Sequence, residues 1–155
     1  MTYLSPSHET PPDAGAKRIL IVEDEMLIAL GAMSDLELDG YDVVIVGDGR
    51  QGLEAATHEK FDLIITDYMM PRMNGLDMID ALRRAGVTLP IVLTTSINQD
   101  SLPQHQRAGY DLYLCKPYRS RDICSAAKRF GPDFHHSSVS RPSATRAGSV
   151  ELEFA

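Results

Sequence analysis

The chain has 155 residues, the length of a single domain with tails, and 43% of them are hydrophobic, which is enough to build a core. Its formal net charge of −7, from 15 basic and 22 acidic residues, argues against nucleic acid as a partner, because phosphate binding needs clustered Lys and Arg. No stretch approaches the roughly 20 apolar residues of a membrane span, and the two cysteines form neither a disulfide framework nor a zinc motif. We therefore expect a cytoplasmic protein that binds neither nucleic acid nor membrane.

Short, unbroken apolar runs recur five times, a pattern typical of strands that are buried on both faces of a sheet. They are residues 19–22, 43–46, 63–66, 91–94 and 112–115. Helical spacing of apolar residues, or a capping side chain, predicts a helix after each run. These helices are residues 26–38, 49–59, 75–85, 102–108 and 120–130, with Asp48 and Asn74 as caps of the second and third. The fourth is weak because Pro103 is tolerated only in a first helical turn.

The alternation of five strands with five helices predicts an α/β fold, a doubly wound parallel sheet with helices on both faces. In such a sheet, ligands bind at the carboxyl ends of the strands, near the point where the strand order reverses.

Both ends of the chain differ from this pattern. Residues 1–16 predict a flexible N-terminal arm, residues 17–130 the folded domain, and residues 131–155 a disordered C-terminal tail rich in Ser, Arg and Pro. Residues 150–155 alternate apolar and polar side chains, which favours a strand added to a sheet edge. A solvated tail is the commoner outcome for a terminal segment.

Polar side chains gather where the predicted strands end. Glu23 and Asp24 follow the first strand, Asp67 follows the third, Thr94 ends the fourth and Lys116 follows the fifth. Because the carboxyl ends of parallel strands share one edge of the sheet, these five residues are expected to converge there.

The chemistry of this group points to phosphoryl transfer. Three close carboxylates repel one another unless a cation joins them, and their oxygens suit Mg²⁺, which binds one or two carboxylates together with phosphate oxygens. A carboxylate can act as a nucleophile and form an acyl phosphate. The metal, Lys116 and the Thr94 hydroxyl would then stabilise the phosphoryl oxygens.

With these residues in place, the sequence resembles the receiver domain of bacterial two-component response regulators. The resemblance is carried by residues 19–25, 63–71, 74–75, Thr94, Tyr113 and 116–118. It implies a flavodoxin-like (βα)5 fold with strand order 2-1-3-4-5. It also implies that Asp67 accepts a phosphoryl group from the phosphohistidine of a sensor histidine kinase or a histidine phosphotransfer protein.

The resemblance further implies a role for each site residue. Asp24 and Asp67 would bind Mg²⁺ directly, Glu23 would bind it through water, and the backbone carbonyl of Met69 would be a further ligand. Lys116 would contact the phosphoryl group.

The same resemblance implies a switch at the ends of the fourth and fifth strands. Thr94 would bind the phosphoryl group, and Tyr113 would follow by rotating inward. Thr95 stands where the family usually has Ala or Gly, so the choice between the two hydroxyls stays open.

The function implied is a phosphorylation-controlled signalling module, not an enzyme acting on other substrates. It would dock on an unknown downstream protein, and it is expected to act alone because no output domain fits in the remaining residues. One alternative is a phosphohydrolase of the haloacid-dehalogenase type, but that class has a second Asp two residues after its nucleophile, where this chain has Met26 or Met69. The other alternative is a receiver-like adaptor that is never phosphorylated.

Overall fold

The computed structural model describes residues 15–130. The predictions for the C-terminal tail, including residues 150–155, and for most of the N-terminal arm lie outside the described residues.

One five-stranded sheet forms the centre of the domain. Its strands are β1 (Arg18–Val22), β2 (Asp42–Val46), β3 (Leu63–Asp67), β4 (Ile91–Thr95) and β5 (Leu112–Cys115). All neighbours are parallel, in the order β2-β1-β3-β4-β5. The predicted sheet and its strand order are therefore confirmed. The order reverses between β1 and β3, so the carboxyl ends of these two strands flank the crevice in which such folds bind ligands.

Within the described residues, four α-helices cover the sheet: α1 (Met26–Leu38), α2 (Gly49–His58), α3 (Gly75–Arg84) and α4 (Ser120–Arg129). The predicted caps are confirmed, because the carboxylate of Asp48 accepts a hydrogen bond from the Gln51 N–H, and the side chain of Asn74 accepts one from the Asp77 N–H. Within residues 15–130, none of the helices is long and apolar enough to cross a membrane.

Alternate side chains of each strand enter two separate apolar layers. Ile19 and Ile21 of β1 pack in the same layer as Ile123 of α4, whereas Leu20 and Val22 pack in the layer that contains Leu76 of α3. Burial on both faces explains why the strands are continuous apolar runs. Polar residues are therefore confined to the strand ends, where the candidate site lies.

The predicted fourth helix is wrong. In its place the chain forms two short 3-10 turns, Gln99–Ser101 and Gln104–Gln106, so that the five strands are accompanied by four α-helices instead of five. Leu102 between the turns has an extended backbone, with φ −75° and ψ 149°. The ring of Pro103 disfavours a helical conformation in the residue before it, which divides the segment at this point.

Candidate functional site

Residues far apart in sequence meet at the carboxyl edge of the sheet. Glu23 and Asp24 directly follow β1, Asp67 is the last residue of β3, and Lys116 directly follows β5. One carboxylate oxygen from each of the three acidic side chains lies within 4.8 Å of the other two. The structure therefore brings together the acidic cluster that was predicted from the strand ends.

Lys116 joins two of these carboxylates. Its Nζ atom lies 2.6 Å from Oε2 of Glu23 and 3.4 Å from Oδ1 of Asp67. Glu23 is 4% exposed and Asp67 is 7% exposed, whereas Asp24 is open to solvent. The pocket thus has a buried floor with one cation and an exposed acidic rim.

The two buried carboxyls are easier to protonate than usual. Burial raises the pKa of Glu23 to about 7, with a contribution from the charge of Asp67, although the hydrogen bond from Lys116 acts in the opposite direction. Burial also raises the pKa of Asp67 above its ordinary value, against the opposing influence of Lys116 and of the Tyr68 N–H. Burial alone would lower the pKa of Lys116, but Glu23 and Asp67 hold it above its usual value. One ammonium therefore does not fully compensate this cluster.

Backbone contacts fix the position of Asp67. Its Oδ1 accepts a hydrogen bond of 2.8 Å from the Tyr68 N–H, which also lies 3.0 Å from the carbonyl oxygen of Thr94. The first residue of α3, Gly75, packs directly on Asp67, since a Cβ at this glycine would lie 2.0 Å from the Asp67 carbonyl oxygen. The backbone at Asp67 is therefore fixed by β4 and by the start of α3, which limits the positions open to its carboxylate.

The two threonines at the end of β4 point to opposite faces of the sheet. Thr94 alternates with Val92, which packs in the layer of α1 and α4, and its hydroxyl donates to the buried carbonyl oxygen of Thr66 at 3.3 Å. Thr95 alternates with Leu93 on the opposite face, and its hydroxyl accepts a hydrogen bond of 3.1 Å from the Ile97 N–H. Both side chains are buried.

Tyr113 lies on the Thr95 face. It is paired with Leu93 in the sheet and packs against the same apolar layer. The predicted switch residues Thr94 and Tyr113 therefore lie on opposite faces of the sheet, and Thr95 is the threonine on the tyrosine's side. A shift of one residue reverses the face of a strand side chain, so the choice between adjacent threonines decides the pairing.

Met69, whose carbonyl was expected to bind the metal, lies in the loop between Asp67 and α3. The residue is 60% exposed and stands two positions after Asp67. Its role as a carbonyl ligand stays a prediction.

An ion pair between a buried carboxylate and an exposed arginine beside the site was missed from the sequence. Asp48, which is 1% exposed, accepts a hydrogen bond of 2.7 Å from Nε of Arg72 in the loop that follows Asp67. The two residues are 24 positions apart and belong to different loops. A local motif could not have revealed the pair, although a charged residue in the loop after the nucleophile was visible in the sequence.

Comparisons with known proteins agree with this geometry. A family model described as the response regulator receiver domain matches residues 19–128. This chain belongs to the response regulator receiver domain family.

The transcriptional regulatory protein PdtaR of Mycobacterium tuberculosis is 38% identical over 120 residues, which cover 76% of this chain and 58% of PdtaR. The alkaline phosphatase synthesis transcriptional regulatory protein PhoP of Bacillus subtilis is 34% identical over 113 residues, which cover 72% of this chain and 47% of PhoP. The receiver chain thus spans about half the length of such curated relatives.

Solved receiver structures have the same fold. The chemotaxis response regulator CheY4 of Vibrio cholerae superposes with a TM-score of 0.69 at 28% identity, covering 74% of this chain and 98% of CheY4. The response regulator TrrA of Thermotoga maritima, solved in complex with Mg²⁺-BeF, superposes with a TM-score of 0.67 at 26% identity, covering 74% of this chain and 98% of TrrA. The receiver fold of this chain is therefore shared with response regulators of two-component systems.

The donor set of this receiver domain suits a magnesium ion. Three carboxylates lie close enough to share one cation, and carboxylate oxygens are the ligands that Mg²⁺ prefers in proteins. Lys116 contacts Glu23 and Asp67, while exposed Asp24 remains accessible to an ion that keeps part of its water shell. The residues present therefore fit this metal.

Proposed function

We propose that this receiver domain accepts a phosphoryl group on Asp67 from the phosphohistidine of a sensor histidine kinase or a histidine phosphotransfer protein. Phosphorylation would then change its affinity for an unknown downstream protein. The observation that carries this proposal is the position of Lys116, which contacts both Asp67 and Glu23 at the edge of a three-carboxylate cluster. A nucleophilic carboxylate, a cation aimed at it and a cation-seeking acidic cluster are the parts that acyl phosphate formation requires.

The chemical step is an exchange of one bond to phosphorus for another. A carboxylate oxygen of Asp67 forms the new O–P bond as the N–P bond to the donor imidazole breaks. The imidazole nitrogen keeps the electron pair of the broken bond, and the ring leaves as neutral imidazole because its other nitrogen carries a proton during the transfer. Since Oδ1 of Asp67 accepts the Tyr68 N–H, the orientation of the nucleophile is set before the donor arrives.

The other residues of the pocket would bind the transferred phosphoryl group and the metal ion that neutralises its negative charge. Lys116 would contact the phosphoryl oxygens, since its Nζ already lies 3.4 Å from Oδ1 of Asp67. Glu23, Asp24, Asp67 and the carbonyl of Met69 would hold Mg²⁺, which when bound neutralises negative charge on the carboxylates and the phosphoryl oxygens. The complex of TrrA with Mg²⁺-BeF supports this metal for the family.

The hydroxyl that binds the phosphoryl group belongs, in this proposal, to the end of β4. Thr94 is in register with Asp67, and Thr95 is one residue closer to the carboxyl edge, on the face of Tyr113. We assign to Thr95 the coupling to Tyr113, because the two share a face and both bond to Ile97.

We further propose that the domain is a cytoplasmic signalling module and not an enzyme with a separate substrate. It takes part in its own phosphotransfer and dephosphorylation. The dehalogenase-type alternative lacks its second Asp, because Met69 stands two residues after Asp67. The adaptor alternative predicts that a phosphodonor leaves Asp67 unlabelled.

The test is phosphorylation by a small phosphodonor, followed by intact mass and peptide mapping. The receiver chain should gain one phosphoryl group at Asp67 in the presence of Mg²⁺, and chelation of the metal should abolish the gain. Asp67→Asn, which keeps the size of the side chain, is the matched control. Labelling at another residue, or none at all, would refute the proposal, and rapid release of phosphate from excess donor would favour the hydrolase.

A further inference from the structure

The loop between β3 and α3, residues 68–74, is held at its two ends beside Asp67. The Tyr68 N–H donates to Oδ1 of Asp67 at 2.8 Å, and the Gly75 N–H donates to the carbonyl oxygen of Tyr68 at 2.8 Å. Met69, whose carbonyl is the proposed ligand, is the second residue of this loop and is exposed. The position of that carbonyl therefore depends on how the loop as a whole is fixed.

The backbone at the loop tip is strained at Arg72. This residue has φ +65°, a left-handed conformation that side chains other than glycine rarely adopt. The Met73 N–H donates to the carbonyl oxygen of Pro71 at 2.7 Å, which closes a three-residue γ-turn centred on Arg72. A γ-turn with positive φ is rare and strained, and such strain persists only where the surroundings impose it.

The side chain of Arg72 supplies the contact that imposes this conformation. Its Nε atom donates to Oδ2 of Asp48 at 2.7 Å, and a terminal guanidinium nitrogen contacts the same oxygen. Oδ1 of Asp48 meanwhile accepts the Gln51 N–H at 2.9 Å, so the carboxylate is fixed to the start of α2. A glycine at position 72 would relieve the strain, but it would leave a carboxylate that is 1% exposed without its cation.

Close packing of the loop on α2 accompanies the ion pair. A Cβ at Gly49, the first residue of α2, would lie 2.3 Å from the carbonyl oxygen of Met73. The loop tip thus rests directly on the helix start, with Arg72 and Asp48 closing the contact beside it.

We propose that Arg72 is a positioning residue for the metal and phosphoryl site, acting through its ion pair with Asp48. The pair holds the loop tip against α2, so that the Met69 carbonyl is already in place when the cation binds. This role rests on the proposed function, because it assumes that Mg²⁺ binds at the acidic cluster. Neither residue touches the acidic ligands in this role. Their effect is on the free energy of ordering the loop, which the ion would otherwise have to supply.

The experiment compares Mg²⁺ affinity and loop protection in the wild-type chain, in four single variants and in the double variant Arg72→Gly/Asp48→Asn. Arg72→Gly removes the guanidinium while accepting the positive φ without strain, and Arg72→Lys keeps a charge without the planar fork. Asp48→Asn keeps a helix-capping side chain but removes the carboxylate charge. Arg50→Ala, an exposed arginine in the first turn of α2, controls for the loss of one positive charge. Mg²⁺ alone is titrated by NMR, and amide hydrogen exchange of residues 69–74 is measured without metal.

Arg72→Gly should weaken Mg²⁺ binding about tenfold, at the lower end of the effect of residues that orient metal ligands, and should speed exchange at the loop tip. Asp48→Asn should do the same, and the double variant should be no weaker than either single variant because both remove one contact. Arg50→Ala should change neither. If Arg72→Gly does not fold, Arg72→Lys and Asp48→Asn carry the comparison.

Two outcomes would overturn the role of Arg72. One is wild-type Mg²⁺ affinity in the folded Arg72 and Asp48 variants, even if their melting temperature falls, since that is what a purely structural pair would produce. The other is equal weakening by Arg50→Ala, which would indicate a general charge effect. If the wild-type chain itself bound no Mg²⁺, the proposed function would fail together with this role. If the wild-type chain bound Mg²⁺ tightly and the variants bound it equally well, only the role of Arg72 would be refuted, and the proposed function would stand.

Discussion

The hydroxyl of Tyr113 donates to the carbonyl oxygen of Ile97 at 2.7 Å, and the N–H of the same Ile97 donates to the hydroxyl of Thr95 at 3.1 Å. One residue thus links the end of β4 to the tyrosine of β5. If Thr95 turned toward a phosphoryl group on Asp67, the Ile97 N–H would lose its acceptor and the segment after β4 would be free to rearrange. The hydrogen bond from the Tyr113 hydroxyl to the carbonyl oxygen of Ile97 would then change together with that segment.

This link predicts different results for the two threonines. Thr95→Ala should leave phosphorylation of Asp67 possible while abolishing the phosphorylation-dependent shift of the Tyr113 resonances in NMR spectra. Thr94→Ala should keep that shift and should instead lower the free energy of unfolding by about 1 kcal/mol, because the carbonyl of Thr66 loses a buried hydrogen bond. Urea denaturation measures the second effect. A Tyr113 response that survives in Thr95→Ala and vanishes in Thr94→Ala would reverse the assignment.

The two threonines at the end of β4 illustrate what sequence patterns could predict in this chain. Apolar runs located all five strands, because burial on both faces leaves no polar residue between positions such as 19 and 22. Strand ends likewise located Glu23, Asp67 and Lys116. The faces of Thr94 and Thr95 could not be assigned with equal security, since an apolar run without alternation does not show which residue points to which side.

Two other features needed the structure for physical reasons. The segment before Pro103 had too little helical signal to show that it would split into two turns around an extended Leu102. The contact of Arg72 with Asp48 joins loops that follow different strands, and neither partner has a sequence pattern that names the other. Local patterns of apolar residues therefore predicted the strands and most of the helices, whereas contacts between loops could not be predicted from the sequence.

The buried carboxyl of Glu23 makes stability depend on pH. Its pKa is about 7 in the folded chain against an ordinary value of 4.5, so between these values the folded chain holds a proton that the unfolded chain has released. The free energy of unfolding in metal-free buffer should therefore fall as pH rises from about 5 to about 7, by an amount on the order of 2 kcal/mol. Glu23→Gln should flatten this dependence and should be more stable than wild type at pH 8. Urea denaturation at a series of pH values measures both chains, and an equal slope in the variant would contradict the assignment to Glu23.

The same carboxyl couples metal binding to protons. Mg²⁺ binds the ionised carboxylates, so binding near pH 6 must release the proton that burial keeps on Glu23. The dissociation constant of Mg²⁺ should rise as pH falls from 8 to 6, approaching about tenfold per pH unit for each proton released. Calorimetry in two buffers of different ionisation enthalpy counts these protons. Glu23→Gln should bind Mg²⁺ more weakly overall but with a shallower pH dependence, whereas Asp24→Asn should weaken binding and retain the dependence.

The start of α1 offers an apolar contact for the proposed phosphodonor protein. Leu27 is 87% exposed and lies three residues after the acidic ligand Asp24, so a protein that brings a phosphohistidine to Asp67 must come close to it. Leu38 at the opposite end of the same helix is 84% exposed and serves as a matched control. Single exposed apolar side chains are common on protein surfaces, so the prediction rests on the position of Leu27 three residues after Asp24.

Leu27→Asp should therefore slow phosphotransfer from the cognate sensor kinase by about tenfold or more, because a charge would be buried in the contact. It should leave phosphorylation by a small phosphodonor unchanged, since that reaction needs only the pocket. Leu38→Asp should change neither rate. Radiolabel transfer from purified phosphorylated kinase, run beside the small-donor reaction, measures the two rates in each variant. If Leu27→Asp slowed both reactions equally, the defect would lie in the pocket of Asp67. If it slowed neither, the kinase would approach Asp67 without contacting Leu27, and exposed Met69 would be the next apolar side chain to test.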